Sequence, residues 1–375
     1  MSQDDYAILV GIARYRDAST YPPLAGPLHD LQRVQDWLQS EGVPEQNITI
    51  FKTHEVLLDL QLAPQDQLPA PLSEWAPNYE DFASAFTRLV QDPEHGGFRQ
   101  RQGRLYLYLS GHGFSMFKGE KPSAALYAAN TYGIDARNIA GTLYADAVRQ
   151  GALFSEVVLI MDCCRDPEFS MPYDRPGILE VEDDGAERVR VLQVYAAPKG
   201  GKAQERVLQA VDGKPVGLLT HGWLKALAEA PTDVAGRVSS TILKSYLDIH
   251  WTTWFKPPLP AKPRLLVPES GDIFFQSRKP LCLQTFALAE EVPIGARLEL
   301  RSAILSAVGT VQEHAVHWID NGGAWQVSVG FDPQSPEGRR AFGLLLPGIE
   351  HVLHCPGRPH PAQTFIPEAG HVLHT

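Results

Sequence analysis

The sequence predicts an α/β protein: a mainly parallel sheet flanked by helices on both faces, followed by a small β-rich C-terminal domain. Three observations predict it. Over the first 280 residues short apolar runs alternate with amphipathic stretches, the pattern of strands joined by crossover helices. Several runs are apolar without interruption, as strands covered on both faces must be. Near residue 280 helical periodicity stops, and short strand-like runs separated by Gly and Pro take over. The chain therefore divides into 1–279 and 280–375.

Taken in order, Tyr6–Ile12 is a buried parallel strand, and Asp30–Leu38 a helix with Leu31, Val34, Trp37 and Leu38 at helical spacing and Asp30 placed to cap it. Asn47–Phe51 is a second strand. Tyr79–Gln91 is a helix with Phe82, Phe86, Leu89 and Val90 on one face. Arg104–Leu109 and Val157–Met161 are strands on either side of a helix at Tyr144–Gln150. Val189–Ala196 is a fifth strand, and helices follow at Leu218–Ala230 and Ser239–Ile249. In the second domain strands are expected at Leu281–Ala287, Arg297–Arg301, Val316–Ile319, Trp325–Phe331 and His351–Cys355, with a hairpin turn at Asn321-Gly322-Gly323 between Trp318 and Trp325.

Composition narrows the function. The 375 residues carry 33 basic and 44 acidic side chains, a net charge of −11, which disfavours a nucleic-acid binder, since that needs a basic surface. No apolar run is long enough to cross a bilayer, so no membrane partner is expected. The four cysteines, Cys163, Cys164, Cys282 and Cys355, do not form a disulfide framework. With an acidic start in place of a basic secretory one, they point to a cytoplasmic protein.

The chemistry sits at two strand ends, where ligand sites of parallel sheets lie. Ser110-Gly111-His112-Gly113 closes one strand and Asp162-Cys163-Cys164-Arg165-Asp166 another. A thiol is mostly protonated at neutral pH and needs a base. An imidazole within reach takes its proton and later protonates the leaving amine. Alone, SGHG reads as a turn with a solvated histidine, and a buried cysteine as a core residue. Together, 52 positions apart in that order, they read as a dyad. Cys163, one position earlier, faces the other way and packs.

These segments resemble the caspase fold, and more closely its metacaspase and bacterial branch. The nucleophile pattern Q-A-C-[RQG]-G with its histidine about 50 residues upstream is met here by a degenerate D-C-C-R-D; the metacaspase form D-S-C-H overlies Asp162-Cys163-Cys164-Arg165. Val10-Gly11-Ile12 through Tyr15, then Gly26 to Asp30, Ser110 to Gly113, Gly217-Leu218-Leu219-Thr220 and Leu265–Phe275 are similar to further family motifs in the family's order, covering roughly 5–278.

The resemblance implies a cysteine endopeptidase with Cys164 as nucleophile, His112 as acid–base partner and no third triad member. Backbone N–H groups near Gly113 and Cys164 form the oxyanion site, each such donor contributing about 3–4 kcal/mol. It also implies a substrate pocket of Asp30, Ser110 and Asp162, whose carboxylates favour Arg or Lys in a protein or peptide substrate. Asp30 keeps its second reading as a helix cap, and Pro27 stands where the family has Cys. The segment Arg165–Arg190, with Arg165, Arg175, Arg188 and Arg190, has the place of the loop between subunits: a self-cut activation segment of a zymogen, or an uncut loop.

No cofactor or metal is expected. Gly113–Leu126 holds one acid, Glu120, so calcium dependence is doubtful. The C-terminal His351, His354, Cys355, His360, His371 and His374 lack the spacing of a zinc site on one strand face. The second domain is expected to bind a partner or regulate the enzyme. The alternative for the whole chain is a non-catalytic caspase-fold scaffold.

Overall fold

The computed structural model describes residues 4–58, 75–116, 123–133, 135–168, 173–174, 176, 183–211, 213–232 and 237–276, and in the C-terminal part the strands between 282 and 374. The chain divides into two compact units, 1–224 with 250–273, and 225–249 with 274–375. Residues 225–249 join the later segment, where Arg237–Ser239 pairs antiparallel with Phe274–Gln276.

The first unit is built on a six-stranded sheet of β1 (Tyr6–Gly11), β2 (Ile48–Lys52), β3 (Arg101–Gly111), β4 (Phe154–Cys163), β5 (Arg190–Tyr195) and β6 (Arg264–Leu266), in the order β6-β5-β4-β3-β1-β2. Strands β1 to β5 are parallel, and β6 closes one edge antiparallel to β5. The sequence places a strand region at Leu265–Phe275. The structure splits it: Leu266 ends the strand on the main sheet, and Phe274 begins the one that leaves it.

Helices α1 (Pro27–Ser40), α2 (Tyr79–Val90), α3 (Gly141–Gln150), α4 (Leu218–Glu229) and α5 (Ser240–Trp254) follow the predicted order. One sheet face carries Ile8, Val10, Leu107, Leu109, Leu159 and Met161 into a core with Phe82, Phe86 and Tyr144. The rings of Phe82 and Phe86 meet Tyr144 edge-on at 4.8 and 4.7 Å, the arrangement that aromatic quadrupoles favour. On the opposite face Trp37 of α1 lies edge-on to Tyr106 and to Trp223 of α4. The expected cap at Asp30 is not observed. The helix starts earlier, at Pro27 behind Gly26, with no side-chain cap; proline suits that first position because its missing N–H has no partner there anyway. Asp30 is therefore inside the first turn, where its carboxylate is free for other work.

A four-stranded sheet stands beyond the carboxyl ends of β3 and β4, in the order Asn138–Ile139, Ala125–Tyr127, Gly113–Met116, Asp166–Glu168. A hairpin of Glu205–Leu208 and Lys214–Gly217 follows β5. Neither is signalled by periodicity, because two- to four-residue strands are too short to show any.

The C-terminal strands form two sheets. One has Cys282–Ala287 between Arg340–Leu345 and Val372–His374. The other has six strands, in the order Ser328–Gly330, Ala315–Asp320, Ser306–Val311, Arg297–Ser302, His351–His354, Gln363–Phe365, all antiparallel. The expected turn at 321–323, Trp325 and the candidate ligands Cys355, His360 and His371 lie outside the described residues. No described helix is long and apolar enough to cross a membrane.

Candidate active site

Strands β3 and β4 pair in parallel, with Ser110 opposite Asp162 and Gly111 opposite Cys163. Beyond them Gly113–Met116 and Asp166–Glu168 pair in the same sense, Phe114 opposite Asp166. The offset is the same on both sides. His112 and Cys164 are thus held on one rung between two sets of backbone bonds, on strands about 4.8 Å apart. Alternation along a strand puts Ser110, His112, Asp162 and Cys164 on one side and Cys163 on the other. All four line a single cavity of about 230 Å³ with Leu24, Gly111, Ala203, Gln204, Glu205 and Gly217.

Cys163 is fully buried and Cys164 half-buried. The Cys163 sulfur occupies the space a side chain at Gly113 would need: a Cβ there would lie 2.5 Å from Sγ and 2.7 Å from the Ala125 carbonyl. Any other residue at 113 would displace the strand end next to Cys164.

The imidazole of His112 is held by the loop after β1. Its Nε2 lies 2.8 Å from the Pro22 carbonyl. A carbonyl only accepts, so Nε2 carries the proton and Nδ1 keeps its lone pair. The His112 backbone N–H donates to the Tyr15 hydroxyl at 2.7 Å. Burial pulls the imidazole below its ordinary pKa of 6.5, against the Pro22 bond and the Glu205 charge. Burial likewise pushes the Cys164 thiol above 9, helped by Asp166 and Asp162. At neutral pH both groups are neutral. Both shifts favour the uncharged forms, and the Cys164 thiol donates to the Ala203 carbonyl at 3.9 Å.

The acidic residues converge from three parts of the chain. Asp162 is the last residue but one of β4, and its Oδ2 accepts from the Thr220 backbone N–H at 3.0 Å and hydroxyl at 2.6 Å. Asp30 accepts from the Gly217 N–H at 2.5 Å and from Arg33 Nη1 at 3.1 Å. A Cβ on Gly217 would lie 2.3 Å from Asp162 Oδ2 and 3.0 Å from Asp30 Oδ2, so glycine lets both carboxylates close around one backbone point. Burial pushes Asp162 up to about 6; burial and then the Asp162 charge push Asp30 to about 8. Asp162 and Ser110 face the cavity, whereas Asp30 stands behind its wall. Glu205, paired with Gly217 across the hairpin, supplies a further acid to the cavity, its carboxylate accepting from the Ala25 and Gly26 N–H groups.

Compared with family models, residues 4–275 match the caspase domain of the C14 peptidases. The chain belongs to the caspase family. No curated protein matches the chain. The match covers the parallel sheet, the cavity and both strand ends.

Within this caspase domain all the sequence-predicted site residues come to one region: His112, Cys164, Ser110 and Asp162 line the cavity, Gly113 follows on the next strand and Asp30 lies behind. Two participants, the Pro22 carbonyl and Glu205, carry no sequence signal, and Arg165 has another place than expected. The Pro22 carbonyl has no side-chain signature. Glu205 lies on a hairpin too short for a pattern. Arg165 was grouped with cleavable arginines, yet it is 1% exposed. Its Nε and Nη2 donate to the Ser123 carbonyl and Nη1 to that of Ala197, and it stacks on Tyr195 at 4.3 Å.

Proposed function

We propose that this caspase-family chain is a cysteine endopeptidase of the metacaspase type that cleaves proteins after Arg or Lys, with Cys164 as nucleophile and His112 as acid–base partner. The observation that carries the specificity is the lining of the cavity: Asp162 and Glu205 in its wall, Asp30 behind Gly217, and no Lys or Arg among the described lining residues. A guanidinium or ammonium entering this space meets the carboxylates of Asp162 and Glu205, with Asp30 behind them protonated at neutral pH, and a substrate carboxylate meets repulsion.

The chemistry follows from the neutral dyad. The Cys164 sulfur attacks the scissile carbonyl carbon as its proton passes to His112 Nδ1, and the carbonyl oxygen becomes an oxyanion facing backbone N–H groups near Gly113 and Cys164. Collapse breaks the C–N bond, and His112 returns the proton to the departing amine. Water, deprotonated by His112, then attacks the thioester and frees the acid and the thiol. The Pro22 carbonyl keeps the imidazole in the tautomer this needs and stabilises the imidazolium between steps. Free thiols at the site fit a reducing, cytoplasmic setting. The segment after the nucleophile is read as the part processed in a zymogen, and the C-terminal unit as a regulatory or partner-binding module.

The test uses fluorogenic peptides ending in Arg, Lys or Asp. Wild type cleaves the Arg and Lys peptides. Cys164→Ala abolishes cleavage and Cys163→Ala retains it. Preference for the Asp peptide would overturn the specificity, and loss in Cys163→Ala with activity in Cys164→Ala would move the nucleophile. Cleavage of none, with the thiol unreactive to alkylation, would favour the scaffold reading.

A further inference from the structure

The segment between β1 and α1 does more than supply the Pro22 carbonyl. Tyr15 is 2% exposed, and its hydroxyl reaches the strand end from behind. It accepts the His112 backbone N–H at 2.7 Å. It also fills the space beside Gly111, where a Cβ would lie 2.4 Å from it and where the backbone has φ +151°. The ring of the same residue faces the imidazole, centroids 5.1 Å apart at 58°. Tyr21 covers it from a second direction at 5.9 Å and packs on Tyr15 at 5.6 Å.

We propose that Tyr15 is a positioning residue for His112: its hydroxyl fixes the backbone rung on which the imidazole stands, and its ring fixes the imidazole plane. This rests on the reading of His112 as the base for Cys164. The physical reason is economy of freedom. The His112 carbonyl accepts from the Tyr127 N–H at 2.9 Å, but its N–H side follows a glycine with positive φ, whose wide conformational range leaves that side to be fixed. The Pro22 carbonyl fixes one ring nitrogen only, which leaves rotation about that contact. A second anchor on the histidine's own N–H removes that freedom, so that Nδ1 stays aimed toward the rung of Cys164. Proton transfer needs such placement, since a misplacement of about 1 Å costs about a hundredfold.

The experiment compares Tyr15→Phe with wild type and with Tyr144→Phe, which removes another buried tyrosine hydroxyl, from α3 in the core. Two readouts are taken per folded molecule: kcat and KM on an Arg-ended peptide, and the rate of Cys164 alkylation by iodoacetamide. Tyr15→Phe is expected to lower kcat by about tenfold to a hundredfold, to leave KM within about twofold, and to slow alkylation near neutral pH. Tyr144→Phe is expected to change melting temperature and neither rate. Where Tyr15→Phe does not fold, Tyr15→Met, an adaptable apolar filler without the acceptor, repeats the measurement. Unchanged kcat and alkylation in the folded Tyr15 variant, or equal losses in the Tyr144 variant, would overturn the proposal. A wild type that alkylates readily at Cys164 but cleaves no Arg or Lys peptide would sink the specificity instead, with the alkylation comparison still deciding the role of Tyr15.

Discussion

Arg165 carries a guanidinium into a place water does not reach, and backbone carbonyls of two loops hold it in place of a carboxylate. Its own backbone is tied too, N–H to the Gly201 carbonyl and C=O to the Gly200 N–H and the Ser115 hydroxyl. The planar fork matches this geometry and a lysine's single ammonium does not. Arg165→Lys should therefore cost about 2–4 kcal/mol of stability, read from urea denaturation. On the proposed reading, His112 and Cys164 set the pH response. Below its lowered pKa His112 is protonated and cannot accept the thiol proton, so kcat should fall on the acid side of 6.5. Asp162 gains a proton below about 6, so KM for an Arg peptide should rise over that same range while KM for a neutral one stays flat. A pH–rate profile with separate kcat and KM limbs checks both signs. The strand-end placement of His112 and Cys164 was legible in the sequence because each follows an apolar run, while Asp162 was placed by the resemblance to the family; all three line the one cavity. The Pro22 carbonyl was not, since every residue has one. Nor was the burial of Arg165, since a charge in sequence gives no hint of the carbonyls waiting for it.

At the scale of elements, the amino ends of the central strands carry their own lock. Arg104 on β3, Glu156 on β4 and Arg190 on β5 stand on one rung, and Glu156 binds both guanidinium groups. Removing the shared carboxylate leaves two partly buried cations side by side. Glu156→Gln should destabilise the fold by about 3 kcal/mol and leave the kcat of the folded enzyme unchanged, because the rung is at the end of the sheet away from the cavity. The same rung bears on processing. Arg165 is inside and Arg190 is in a strand, while Arg188 ends a short 3-10 turn and Arg175 lies outside the described residues. If the enzyme cuts itself, intact-mass analysis should find new ends after Arg175 or Arg188 and none after Arg165 or Arg190. The long elements were readable from periodicity, their ends less so: β3 and β4 run past the apolar core of their patterns because pairing with a neighbour, and not hydrophobicity, decides where a strand stops. The start of α1 was misplaced because Pro27 reads as a loop residue until its place in the first turn is seen.

For the whole molecule the net charge of −11 matters more than any one surface pair. A negative field draws cationic peptides and is screened by salt. Raising ionic strength from about 0.02 to about 0.5 M should lower kcat/KM for an Arg peptide several-fold, and mostly through KM. A neutral peptide should show little change. The alternation that gives the parallel sheet, and with it the carboxyl-end site, was visible over the whole first part of the chain. The grouping of 225–249 with the later strands was not, because it depends on a pairing between segments far apart in sequence.

Gly217 offers a way to separate two properties that usually fail together. It touches neither the sulfur nor the imidazole, yet a methyl there would press against Asp162 and Asp30 at once. An alanine at this point would crowd both aspartates and leave His112 and Cys164 in place; on the proposed reading such a protein stays open to a small electrophile and closes to Arg and Lys peptides.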